Sequence, residues 1–146
     1  MWGLIIALIS GTLMSIQGVF NTGVTKQTSN WLVTSWVAFS SFVVAFILWG
    51  IFERNDTNIM SLFQIENKYM LTGGVIGAFI TWTVIKSIAE LGPAKAVLLI
   101  VIAQLLIAYI IELMGMFGVE KVSFEWSKLI GIIISIVGFI IFKWEK

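Results

Sequence analysis

The chain contains neither cysteine nor histidine. It therefore forms no disulfide, offers no thiol nucleophile or imidazole base, and lacks the commonest transition-metal ligands. Charge is also scarce: Asp, Glu, Lys and Arg make up 12% of the chain, against about a quarter in a soluble domain. The net charge of +1 leaves no polybasic surface for nucleic acid. There is no phosphate-cradling loop, no paired-carboxylate site and no nucleophile beside a base, so no enzyme activity and no cofactor are expected. The single proline, Pro93, follows Gly92 and marks a break between two helices.

What fills the chain is apolar. Hydrophobic residues reach 59% and the mean hydropathy is +1.02. Apolar runs of a length that crosses a bilayer extend over about 2–20, 31–52, 69–88, 94–117 and 126–144. The core of the last, Leu129–Phe142, is the shortest and needs its flanks to span. The expected fold is an all-α integral membrane domain of five transmembrane helices occupying residues 1–146. The opening run has no basic segment before it and no small-residue cleavage site, so it reads as a retained first helix. The runs are too long, and too continuous in hydrophobicity, for a β-barrel. Trp2, Trp31, Trp49, Trp126 and Trp144 fall near run ends, as interfacial belts require. Trp82 lies inside a run and needs another reason.

The linking segments differ in character. Residues 21–30, NTGVTKQTSN, form a polar turn region. Residues 53–68 make the longest loop, whose IMSLFQI can lie along the interface as a short amphipathic piece. Residues 89–95 make a tight turn, and 118–128 join the last two spans. An odd number of spans places the termini on opposite sides. Arg54, Lys68, Lys121 and Lys128 then share one side with the N-terminus, while Lys26, Lys86, Lys95, Lys143 and Lys146 share the other. The lysine and arginine bias that normally sets orientation is almost absent. Two readings stay open: orientation fixed by cellular context, or copies inserted both ways and paired antiparallel.

Small residues recur at helical spacing: Gly3, Ala7, Gly11 and Ser15 in the first span, Gly73, Gly74, Gly77 and Ala78 in the third, and Gly131, Ser135 and Gly138 in the fifth. Such ridges let helices approach closely in lipid.

Polar groups inside spans are the functional candidates. Gln17 and Asn21 are one turn apart on one face, and their amides need partners. They are read as an interhelical clamp, as a substrate-facing pair or, for Asn21, as a terminal cap. In the fourth span Gln104, Ala108 and Glu112 form one stripe, with Tyr109 beside it as a hydrogen-bond donor. Glu112 lies about 12 Å beyond Gln104 along the axis. An ionisable group inside a span is by default a functional candidate, and Glu112 can exchange a proton with solvent for coupling; its bland alternative is an interfacial glutamate. Trp82 is read either as a cavity wall that stacks on an organic solute or as packing. Lys86 either pairs with Glu90, four residues on, or snorkels to the interface. Glu90 is the weaker second coupling candidate.

The run GTLMSIQGVFN (residues 11–21), Ser40-Ser41-Phe42, Leu91-Gly92-Pro93-Ala94, Ala103-Gln104-Leu105-Leu106, the Glu112, Gly115 and Gly118 spacing, and Gly131 and Gly138 together resemble the bacterial YdcZ-like (DUF606) family of the drug/metabolite transporter superfamily. The resemblance covers essentially the whole chain. Glu112 stands where family members often carry Asp. The resemblance implies a five-span half of a ten-helix transporter, in the bacterial inner membrane, that dimerises and moves a small organic solute by alternating access. Gln17, Asn21, Trp82, Gln104 and Tyr109 would contact the solute, and Glu112 or Glu90 would couple an ion or proton. The related small multidrug exporters depend on a first-span Glu, and this chain has no acidic residue before Glu53. The competing expectation is a non-transporting membrane subunit that assembles with a related partner.

Overall fold

The computed structural model describes residues 1–55 and 57–143. Trp144 and Lys146, together with the expected end of the fifth span at 144, lie outside the described residues. The long elements are α1 (Trp2–Thr25), α2 (Asn30–Phe52), α3 (Gly73–Leu91), α4 (Pro93–Met114) and α5 (Trp126–Lys143). Short 3-10 turns occupy Ile59–Gln64, Lys68–Thr72 and Met116–Gly118. Among the described residues, five helices are long and apolar enough to cross a membrane, the third counted from Lys68 to Leu91. This is the all-α, five-helix architecture that the apolar runs predict.

Local chemistry explains the boundaries. α1 runs past Phe20 to Thr25, beyond the end of its apolar run. Thr22 and Thr25 make this affordable by donating to the carbonyls of Gly18 and Asn21, each at 2.8 Å. Asn21 thus lies within the helix rather than at its exit, which removes the cap reading. α2 starts after Ser29, whose hydroxyl accepts from the Leu32 N–H at 3.3 Å. Gly92, at φ 79°, ends α3, and Pro93 opens α4, where its missing N–H is no loss. α4 stops at Gly115 in the left-handed region, φ 64°. The Ile59–Gln64 turn falls within the segment read as interfacial; its first residues are capped by the Asn58 side chain, which accepts from Met60 N–H at 3.2 Å.

The chain divides into two compact units, Met1–Lys86 and Ser87–Lys146, the boundary falling inside α3. In the first unit α1 packs on α2. Their buried residues are small or short: Gly18 and Thr22 on α1, Val33 and Thr34 on α2. Such residues allow close helix approach where lipid supplies no hydrophobic drive between helices. In the second unit α4 packs on α5, with Ala96, Tyr109 and Ile132 buried.

Most apolar side chains point outward. Between 6% and 17% of each span's most apolar stretch is buried within the chain, and residues such as Leu4 and Ile134 are two-thirds exposed. That surface requires lipid or another protein against it. The glycine ridges are equally open. A Cβ added at Gly3, Gly11, Gly73, Gly74, Gly77, Gly131 or Gly138 would meet nothing within 4 Å. Within this chain these glycines do not serve the helix contacts that their spacing suggests; Gly18 is the buried exception.

Candidate functional site

In the second unit, α4 and α5 flank an open cavity of about 560 Å³ lined by Leu105, Ala108, Tyr109, Glu112, Lys128, Gly131, Ile132 and Ser135. Two of the sequence candidates, Tyr109 and Glu112, meet here, and Ala108 of the same stripe lies between them. The polar end is an ion network. Lys128 Nζ lies 3.7 Å from Glu112 Oε2 and 3.4 Å from Glu125 Oε1. These side chains are 39–50% exposed, so each pair is worth about 1 kcal/mol or less. Lys128 also sits over the Tyr109 ring, 5.5 Å from its centre.

Tyr109 has a structural duty. It is buried, and its hydroxyl accepts from the Glu125 N–H at 2.8 Å while donating to the Glu125 carbonyl at 3.3 Å. It thereby satisfies the backbone just before α5, where helical N–H groups otherwise lack partners. Below it, Phe124 lies 6.5 Å from the Tyr109 ring and stands edge-on to Trp126 at 5.2 Å. Glu112 is tied through its backbone: its carbonyl accepts from Gly115 N–H at 3.3 Å and Val122 N–H at 3.1 Å. The loop before α5 therefore folds back onto the end of α4 and brings Lys128 to Glu112. In the sequence Lys128 bears only on topology. The overlooked signal is its place in the first turn of α5, which a start at Trp126 implies.

Gln104 and Glu90 belong to this unit but do not line the cavity; both are exposed.

In the first unit, Gln17 is exposed and Asn21 half-buried, one turn apart on α1. The side-chain amides of Gln17, Asn21 and Gln104 have no hydrogen-bond partner among the described residues. Trp82 is half-buried in an aromatic cluster, stacked on Trp31 at 5.5 Å, with Trp31 edge-on to Phe79 at 6.2 Å. The Lys86 ammonium lies over the Trp82 ring, 6.0 Å from its centre. Beside the cluster, Asn30 Nδ2 donates to the Trp82 carbonyl at 3.4 Å, and Asn30 Oδ1 is buried without a partner. In the sequence Asn30 belongs only to a polar turn. Its contact with Trp82, 52 residues away, has no local signature.

Five long helices with lipid-suited exteriors, and polar groups gathered in a small cavity, define a multi-pass α-helical membrane protein. A family model described as "Putative inner membrane exporter, YdcZ" matches residues 2–141. The chain belongs to that family, which makes it a membrane protein related to a transporter family. No curated protein and no solved structure matches it.

Proposed function

We propose that the protein is a secondary transporter of a small organic solute and works as a homodimer by alternating access in the bacterial inner membrane. The observation that carries this reading is the family match over residues 2–141, to a group described as exporters. The cavity between α4 and α5 supports it, because an ion network opens onto an otherwise apolar wall there. The unmet amides of Gln17, Asn21 and Gln104 are further polar contacts for the solute, with Trp82 as an aromatic wall. Glu112 is the proposed coupling carboxylate and Glu90 the second choice. The open glycine ridges and the nearly even Lys/Arg count favour a second copy, inserted in the opposite sense, as the partner.

The test is flux in proteoliposomes of a panel of small neutral and zwitterionic solutes, for the native chain and for Asn21→Ala and Gln104→Ala. Transport by the native chain that falls in both variants is expected. Transport unchanged in either variant removes that residue from the site, and no flux across the panel counts against a carrier.

One observation favours a second reading, a non-transporting subunit that pairs with a related partner. The Tyr109 hydroxyl is fully engaged by the Glu125 backbone, and Lys128 has a carboxylate on each side. Those groups then serve as clamps. Crosslinking in native membranes separates the two: a heteromer without homodimer supports the subunit reading.

A further inference from the structure

Two further cavities lie at the C-terminal end of α2 and the loop that follows it. The first, of about 430 Å³, is lined by Phe42, Phe46, Trp49, Glu53, Thr57, Asn58, Ile59, Ser61 and Leu62. The second, of about 450 Å³, shares Trp49, Thr57 and Asn58 with it and adds Arg54 and Asn55.

The sequence along this face of α2 grades from apolar to charged. Phe42, Phe46, Trp49 and Glu53 follow one another at helical spacing over about 16 Å. The rings touch in series: Phe42 on Phe46 at 5.7 Å, and Phe46 on Trp49 at 5.6 Å. Trp49 is where a helix at the membrane–water boundary carries tryptophan. Its indole N–H donates to Thr57 Oγ1 at 3.0 Å. Thr57 in turn folds the loop back, giving both its N–H and its hydroxyl to the Glu53 carbonyl, at 3.0 and 3.1 Å. The loop then lays Ile59 and Leu62 against the groove. The result is a slot with an aromatic and aliphatic wall along α2 and, among the described residues at its end, one carboxylate, Glu53, lining the first cavity and one guanidinium, Arg54, lining the second, both exposed.

We infer that this slot binds a glycerophospholipid whose headgroup carries both a phosphate and a primary ammonium, with one acyl chain along Phe42 and Phe46. The lining matches that amphiphile part by part. Arg54 suits the phosphate by a charge-assisted, two-pronged hydrogen bond. Glu53 suits the ammonium, and it disfavours a headgroup whose only charge is the phosphate. A lipid sets an acyl chain against the long aromatic and aliphatic wall and its headgroup at the charged end, whereas bulk acyl chains have no use for that end. The inference does not depend on the chain carrying a solute.

Native mass spectrometry of the purified full-length protein tests it, using an equimolar mixture of phosphatidylethanolamine and phosphatidylglycerol with identical acyl chains. Preferential retention of phosphatidylethanolamine by about two- to fivefold is expected, the span of one exposed ion pair. Glu53→Gln brings the ratio to one. Phe46→Ala lowers retention of both lipids, and Leu62→Ser, at a half-exposed loop residue, does the same if Phe46→Ala fails to fold. A ratio of one in the native protein overturns the assignment. So does a preference that survives Glu53→Gln and Arg54→Gln, because the headgroup is then read elsewhere.

Discussion

One hydroxyl, that of Tyr109 on α4, holds both backbone groups of Glu125, accepting from its N–H at 2.8 Å and donating to its carbonyl at 3.3 Å. The two residues are sixteen apart in sequence, and the contact fixes where α5 begins against α4. This junction, together with the Val122 N–H bond to the Glu112 carbonyl, brings Lys128 to Glu112.

Tyr109→Phe keeps the ring, its contact with Phe124 and its place under Lys128, and removes only the hydroxyl. It leaves a backbone N–H and a carbonyl without their partner. A loss of about 1–3 kcal/mol in stability is expected, measured as a lowered unfolding midpoint in detergent. An unchanged midpoint would show that water replaces the hydroxyl at no cost.

Glu112→Gln and Lys128→Gln separate coupling from stability. The exposed ion pairs contribute about 1 kcal/mol or less each, so neither variant should unfold the protein. Glu112→Gln leaves Lys128 with Glu125 at 3.4 Å, whereas Lys128→Gln leaves two carboxylates facing one another and should be the less stable of the two. If Glu112 couples an ion, Glu112→Gln abolishes concentrative transport while exchange of bound solute persists. Retained concentrative transport assigns coupling elsewhere.

Gly115→Ala tests the end of α4. Gly115 has φ 64°, and a Cβ there would stand 3.0 Å from Lys121 Cβ. The left-handed conformation alone costs an alanine about 1–2 kcal/mol, and the close neighbour adds to it. Gly138→Ala, where a Cβ meets nothing within 4 Å, is the matched control and should melt within about 1 kcal/mol of the native chain, helix propensity favouring alanine. Equal melting of the two variants would sink the claim that Gly115 is special.

Orientation is open to direct measurement because the chain has no cysteine of its own. A single cysteine placed at either terminus should label from both sides of the membrane if copies insert both ways. Labelling from one side alone rejects antiparallel pairing.

The five helices were legible in the sequence because lipid demands long uninterrupted apolar runs, and little else produces them. The end of α1 was not, since hydropathy falls at Asn21 while the threonine hydroxyls of Thr22 and Thr25 fold back onto the helix and let it continue. Tyr109 and Glu112 were legible as polar residues where apolar ones are cheaper. Lys128 and Asn30 were not. Each sits in the first turn of a helix preceded by polar residues, and each acquires its meaning from a partner on another helix, Glu112 and Trp82 respectively. Periodicity reports which face a residue occupies and says nothing of what stands opposite. The glycine ridges show the converse: their spacing was plain, but the surfaces they offer are not occupied from within the chain.

Four hydroxyls of α1, on Thr12, Ser15, Thr22 and Thr25, each donate to the carbonyl four residues back. Side chains satisfied in this way are indifferent to their surroundings, so they do not fix the helix's rotation about its own axis. Gln17 and Asn21 are not indifferent. Their amides project about 40° apart around the axis, and turning that sector toward acyl chains strands both. The rotational setting of α1 is therefore held by two things, its seam with α2 at the buried Gly18 and Thr22 and these two amides acting as a keel. Converting both to leucine should leave the packing on α2 as the main restraint on its roll, even if neither residue ever touches a solute.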